Sequence, residues 1–272
     1  MSSLDFSVGS AAQAFDLAAE WYDEVFTNSL IGRLQRQVVW GAFSKTFGPG
    51  DSVLELNCGT GADARFLARH GVQVLACDAS AKMIAIARAK AGQEGADTQI
   101  RFEVLSNERL DSLQGTEQFD GVVSNFSGLN CVADLRPVAR ELARLVRPRG
   151  RALLCVSTRV CLWEMLWYLC HGKPRKAFRR IPGFSVAQIQ GIAVSVSYPS
   201  SHAMRSAFAP WFRLRKAQAV GLFIPPSYVE DWATRHQGAV AVLDRLDRVF
   251  RRVRGLAHVG DHVLLEFERI AL

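Results

Sequence analysis

The chain has 272 residues, 49% of them hydrophobic and 22% charged, with a formal net charge of +7, enough to bury one large core with or without an elaborated cap. No apolar run approaches the length that crosses a bilayer: the longest, Val160 to Cys170, is interrupted by Glu164 and reaches about half of it. The first residues lack the basic start and apolar stretch of a secretory signal, and the six cysteines form no C-x-x-C pair, so reduced thiols in a cytoplasmic protein are expected.

Residues 11–47 read as a helical lead-in bearing Phe15, Trp21, Tyr22, Phe26, Leu34, Val38 and Trp40. After Pro49 and Gly50, the apolar run Val53 to Leu56 reads as a buried strand that ends in a glycine-punctuated turn, and a helix opens at about Ala62. A strand ending at Asp78, a helix through Met83 and Ile86, and strands at Ile100 to Leu105, Phe119 to Asn125 and Arg151 to Val156 continue the alternation. Such alternation implies right-handed crossovers and a parallel sheet. From residue 158 to 212 the pattern breaks into a Trp-rich helix (Leu162 to Leu169), a basic connector (173–180), a strand at Ile192 to Tyr198 and a helix at Ala203 to Phe208. Phe212 to Val220 reads as a return to the main sheet, with Asp261 to Phe267 as its antiparallel partner. No internal repeat or low-complexity tract is present.

Charge is divided unequally. Residues 1–150 hold 15 Lys and Arg against 18 Asp and Glu, a balance of −3, and residues 151–272 hold 18 against 8, a balance of +10. A basic half can steer anions, nucleic acid or a membrane surface. Much of the excess, however, lies on Arg245, Arg248, Arg251, Arg252 and Arg254, which alternate with Val249, Phe250 and Val253 as the solvated side of an amphipathic helix.

The turn at residues 57–61 carries the most chemistry. Gly59 and Gly61 let a ligand lie against bare backbone, and the helix that follows points amide donors at it. Gly59, Gly61 and Ala64, with Asp78 downstream, satisfy a dinucleotide fingerprint, but an NAD(P)-dependent oxidoreductase accounts only for these first two motifs. The whole segment Glu55-Leu-Asn-Cys-Gly-Thr-Gly61 resembles motif I of the class I S-adenosylmethionine-dependent methyltransferases. The resemblance extends to Asp78 at the end of the next strand, to Phe119 to Asn125 as fourth strand, and to Leu142 to Gly150 leading into the fifth. It covers residues 50–157, and it is closest to the group containing ubiquinone and menaquinone biosynthetic and natural-product methyltransferases.

That resemblance implies an α/β fold: a seven-stranded, mostly parallel, doubly wound Rossmann-like sheet with an antiparallel last strand and a cap inserted between strands 5 and 6. It divides the chain into a lead-in or lid (1–48), a cofactor-binding core (49–157), a substrate cap (158–212) and a C-terminal return to the sheet (213–272). It implies S-adenosyl-L-methionine as cofactor. The expected contacts are Tyr22, Glu55, Asn57, Cys58, Gly59, Thr60, Gly61, Asp78, Ala79, Met83, Ser106, Asn107, Asn125 and Phe126. Asp78 offers two acceptor oxygens to ribose hydroxyls, though an exposed helix cap is its plain alternative. Asn57 stands where the family usually has glycine; asparagine tolerates left-handed backbone, so the turn can survive. Trp21, next to Tyr22, reads equally as core or contact.

The expected reaction is methyl transfer to an O or N of a small molecule. Ser124-Asn125-Phe126-Ser127 lacks the Pro-Pro of enzymes that methylate exocyclic amines of DNA, and Cys131 lacks a preceding proline, so nucleic acid is not the expected partner. The aromatic segment at 160–180 with its cationic stretch also allows membrane-surface contact, against the plainer reading of a cap helix packed on the sheet. Positioning and water exclusion supply much of such a rate; His202, His171 and Tyr198 are the candidates for a base on residue type alone. His258, Asp261 and His262 have metal-ligand chemistry, but the last two adjoin in an expected strand and would face opposite sides, so no metal is expected. A non-catalytic methyltransferase-like binding module is the remaining alternative. Oligomeric state is not legible in the sequence.

Overall fold

The computed structural model describes residues 11–113, 118–253 and 255–271; the first ten residues, including the segment read above for a signal, and Arg254 lie outside them. Helix α1 (Ala11–Ala18), a π turn (Asp23–Thr27) and α2 (Leu30–Thr46) precede the sheet. Strands β1 (Ser52–Leu56), β2 (Gln73–Asp78), β3 (Ile100–Val104), β4 (Phe119–Ser124) and β5 (Val146–Ser157) then alternate with helices α3 (Ala62–Arg69), α4 (Ala81–Gln93) and α5 (Leu135–Leu145). Between β5 and the return of the sheet lie α6 (Leu162–Cys170), α7 (Pro174–Ala177), the hairpin β6 (Phe184–Ile189) and β7 (Ile192–Ser197), and α8 (Ser201–Phe208). Strand β8 (Phe212–Val220), α9 (Glu230–Arg235), α10 (Gln237–Phe250) and β9 (His262–Arg269) complete the chain.

The seven main strands lie in the order β3-β2-β1-β4-β5-β9-β8. Leu54 of β1 sits opposite Leu75 of β2 and Val122 of β4 in parallel register, whereas β9 runs antiparallel to both β5 and β8, with Leu265 opposite Leu154 and Ala217. This is the expected mixed sheet with its reversed last strand. Residue alternation divides the core between the two faces. Leu54, Leu75, Val122, Leu154 and Leu265 pack with α5 and α8 on one side; Val53, Val74, Val123 and Leu153 pack with α2, α3 and α4 on the other. The strand order reverses between β1 and β4, and at such a switch point the loops after the strands open a crevice.

Two expectations about the periphery change. Strand β6 was not legible; it pairs antiparallel with β7 across a tight turn at Gln190 and Gly191, both with positive φ, and its Phe184 and Val186 are exposed. On α10, Val249 and Phe250 remain exposed, so they do not form the buried side of an amphipathic helix. No helix among the described residues is long and apolar enough to cross a membrane.

Candidate active site

Three left-handed residues shape the turn after β1: Asn57 (φ 56°), Gly59 (φ 54°) and Gly61 (φ 76°). The two glycines serve different ends. A Cβ on Gly59 would meet only Tyr22, at an ordinary 3.7 Å, so Gly59 answers to its backbone angle and to an open side. A Cβ on Gly61 would lie 3.0 Å from Ala87 and 3.2 Å from Phe102, so this glycine lets α3 close against α4 and β3. Gly61 is therefore packed against protein on its Cβ side.

Asp78 ties the turn down. Its Oδ2 accepts the Gly59 amide at 2.9 Å and its Oδ1 accepts the Ser80 amide at 2.9 Å; each oxygen keeps a lone pair for a further donor. Burial pushes this carboxyl up from the ordinary range, against the pull of the two amides. Around it, Tyr22, Asn57, Gly59, Asp78, Ala79, Met83, Ser106, Asn107, Asn125 and Phe126 line one concavity of about 270 Å³. The sequence therefore locates ten of the fourteen expected contact residues on one wall.

The other four lie behind that wall. Cys58 and Glu55 are buried; burial with the nearby Asp63 pushes the Glu55 carboxyl well above its usual range, and its Oε2 has no hydrogen-bond partner among the described residues. Thr60 donates to Asp23 at 2.6 Å, which fastens the π turn to the loop, and Gly61 packs inward as described. Below them Asp63 accepts from Arg36 (2.7 Å), Trp40 (2.6 Å) and Asn125 (2.9 Å).

Asn57 fills the space that a glycine there would leave. Its Oδ1 accepts from Asn107 at 3.2 Å and Ser124 at 3.3 Å, and Gly128 accommodates it. The concavity also gains walls the sequence did not announce: Phe15 of α1, and Ile189 and Val196 from the β6–β7 hairpin. Gln190-Gly191 between two short apolar segments was the available turn signal. Helix α1 is held over the site where Asp16 accepts from Ser80 Oγ and, at 3.0 Å, from the Lys82 amide at the start of α4.

A second, more open chamber of about 500 Å³ adjoins the first and shares Phe15, Tyr22, Phe126 and Ile189 with it. Trp21, Val25 and Phe26 make it mainly apolar and aromatic, with Gln188, Gln190, Ser227 and His262 as its polar groups. Trp21 is exposed, not core. Burial pushes the Tyr22 phenol up to about 12, so it is neutral at physiological pH although part of its surface faces the opening. A larger cleft of about 550 Å³, with Lys45, Arg151, Lys216, Arg251 and Arg252 in its lining, lies between α2 and strands β5, β9 and β8, away from the crevice.

None of the expected bases lines either chamber. His202 is exposed and lines a separate depression with Arg205 and Arg213. His171 is exposed at the end of α6, with its Nδ1 on the Trp167 carbonyl. Tyr198 is buried, its hydroxyl 3.1 Å from Ser185 Oγ. The histidine that does reach the second chamber is His262. Asp261 precedes β9, so strand alternation does not apply to the pair, and its Oδ2 lies 3.3 Å from His262 Nδ1. The expectation of opposite-facing side chains fails there.

A methyltransferase-domain family model matches residues 53–150, from β1 to the start of β5. A demethylmenaquinone methyltransferase of Mycobacterium marinum is 32% identical over 183 residues, covering 65% of this chain and 73% of that protein. The chain belongs to the class I S-adenosylmethionine-dependent methyltransferases. A demethylmenaquinone methyltransferase of Mycobacterium bovis is 31% identical over 157 residues, and there the match spans 61% of the relative's length. The cyclase SpnF superposes with a TM-score of 0.63 over 98% of this chain and 99% of its own at 16% identity, a likeness of fold alone. This chain is thus a methyltransferase enzyme that uses S-adenosyl-L-methionine, and the dinucleotide and non-catalytic readings of the same turn are set aside.

Proposed function

We propose that this enzyme moves a methyl group from S-adenosylmethionine to an O or N of a small, largely apolar acceptor, with the donor in the first chamber and the acceptor in the second. The observation that carries this reading is the Gly59–Asp78 pairing at the switch point beside a contiguous aromatic chamber. The residues fit the donor's chemistry. The remaining lone pairs of Asp78 suit ribose hydroxyls, Met83 and Ala79 offer an apolar surface to a base, and Glu55 supplies an unpartnered buried acceptor under the turn. When bound, the donor supplies an electrophilic methyl on a sulfonium.

The protein's own contribution is then to hold, orient and exclude water. Residues up to 48 act as the lid, residues 49–157 as the donor-binding core, residues 158–212 as the acceptor cap and residues 213–272 as the return to the sheet. The relatives' names support a quinone-type acceptor. Six free cysteines are in keeping with a reducing, cytoplasmic setting. Calorimetric titration with S-adenosylhomocysteine tests the donor site. Micromolar affinity is expected, weakened about 100-fold or more in Asp78→Ala by the loss of charge-assisted hydrogen bonds. Methylated products are then sought with demethylmenaquinol and simple phenols and amines. Wild-type protein that fails to bind S-adenosylhomocysteine would overturn the proposal.

A further inference from the structure

We propose that Ser127, His262 and Asp261 form a proton relay that deprotonates the acceptor, and that the acceptor is therefore a neutral aromatic hydroxyl compound. This deepens the reading of the site given above and rests on it.

The relay joins the two chambers. Ser127 lines the first and His262 the second. Ser127 Oγ is 3.0 Å from His262 Nε2, and the other ring nitrogen lies 3.3 Å from Asp261 Oδ2, within reach of its charge but without hydrogen-bond alignment. The carboxylate beside Nδ1 favours the ring tautomer with its proton there, which leaves Nε2 to accept. Asp261 is itself fixed: Arg180 Nη2 donates to its Oδ1 at 2.9 Å and Gln35 Nε2 to its Oδ2 at 3.2 Å. The Phe126 ring meets His262 edge-on at 5.5 Å and fixes its plane. Ser157 Oγ also pairs with the Ser127 hydroxyl, so the two hydroxyls and the imidazole form one connected chain.

Backbone strain marks the same place. Phe126 (φ 44°) and Ser127 (φ 70°) are consecutive non-glycine residues in left-handed conformation, which is costly for a phenylalanine and persists where the surroundings enforce it. Their conformation brings the Ser127 hydroxyl to the boundary between the chambers.

The chemistry follows from what lines the second chamber. Among the described residues that line it, His262 and the neutral Tyr22 are the ionisable groups, and none is a carboxylate that would receive an ammonium acceptor. A hydroxyl acceptor, by contrast, arrives protonated and must lose that proton as the new bond forms. In the relay the acceptor O–H bond breaks, its proton passes to Ser127 Oγ, and the serine proton passes to Nε2. The electron pair left on the acceptor oxygen makes the O–CH₃ bond, while the pair of the broken S–CH₃ bond stays on sulfur. The resulting imidazolium faces the Asp261 carboxylate and later yields its proton to water. The charged groups that bear on His262 are Asp261, Arg180 behind it, and Arg36, which lies over the Phe126 ring at 4.9 Å.

Histidine-selective ¹⁵N spectra of the full chain test the relay, with 2-naphthol as the hydroxyl probe. Nδ1 is expected to be protonated and Nε2 bare. Saturating 2-naphthol should shift the Nε2 resonance in the wild type and less than about a tenth as much in Ser127→Gly, a variant suited to the positive φ. A protonated Nε2, or one unmoved by the probe, overturns the relay. In the methyl-transfer assay, His262→Asn should lower kcat about 100-fold with S-adenosylhomocysteine affinity within about two-fold of wild type. That loss should shrink at high pH, where the acceptor arrives ionised. An unchanged kcat overturns the relay and leaves the methyltransferase reading intact; absent S-adenosylhomocysteine binding overturns that reading and with it the relay's acceptor role, and the two failures are told apart because the tautomer is read without the donor.

Discussion

Asn57 and Gly128 occupy one another's space: a Cβ on Gly128 would fall 2.3 Å from the Asn57 Cβ and 2.5 Å from its Oδ1. The asparagine side chain enters the crevice between the ends of β1 and β4, where Ser124 and Asn107 donate to it. The missing side chain at 128 is the condition for that entry.

Gly128→Ala should therefore destabilise the protein by about 2–3 kcal/mol through overpacking against a buried side chain. Asn57→Gly, which keeps a backbone able to adopt φ 56°, should lose about 1–2 kcal/mol with its two hydrogen bonds. In the double variant the clash disappears. Urea denaturation of all four proteins should give a coupling energy of about 1–2 kcal/mol in favour of the pair of changes.

Glu55 is buried with an unpartnered oxygen, and burial raises its carboxyl well above the usual value. A raised folded-state pKa means that the folded protein holds the proton more tightly than the unfolded chain. The wild type should therefore gain stability as pH falls from neutrality toward the unfolded carboxylate value of about 4. Glu55→Gln should be at least as stable as wild type at pH 7 and should lack this gain. Chemical denaturation at pH 7 and 5 measures it, and a larger acid gain in the variant would refute the assignment.

Asp261 has the opposite sign. Burial alone would raise its pKa, but His262 and Arg180 hold it far below the normal carboxylate range. Its contribution is present above the unfolded value of about 4 and is lost as pH falls below that toward the folded value. Arg180→Met leaves a buried carboxylate without its main cation and should cost about 3–5 kcal/mol at pH 7. Between pH 4 and 2 the difference between variant and wild type should narrow, as followed by thermal melts across that range.

Helix α1 and the π turn, the front of the proposed lid, meet the core through two aspartates. Asp16 caps α4 through Ser80 and the Lys82 amide, and Asp23 pairs with Lys90 and Thr60. Asp16→Ala should speed dissociation of S-adenosylhomocysteine about 5- to 10-fold, as expected for roughly 1 kcal/mol of lost hydrogen bonding. Stopped-flow fluorescence of the exposed Trp21 on that lid reads the rate.

The core was legible because each of its signals is local. Alternating strands, Gly59 and Asp78 lie within one βαβ unit, where spacing along the chain fixes distance in space. Position along a strand does not tell which face of a loop a residue presents, so Thr60 and Gly61 read as ligand contacts while they pack inward. The base escaped for another reason. His262 and Ser127 are 135 residues apart, and only the antiparallel placement of β9 beside β5 brings them together. His171 and His202 stand out by residue type in an aromatic segment, a property that carries no geometry.

Glu164, buried in α6, receives Arg179 and Arg180, and Arg180 continues to Asp261. A charged strut thus connects the inserted segment to the root of β9. The consequence is one of modularity. Grafting this insertion from a relative to alter acceptor choice would sever the strut unless Glu164 and Arg180 travel with it, whereas replacing the β6–β7 hairpin alone leaves the strut untouched. Changes to the proposed acceptor chamber are therefore most freely accommodated around Gln188, Ile189 and Gln190, the part of its wall that the strut does not hold.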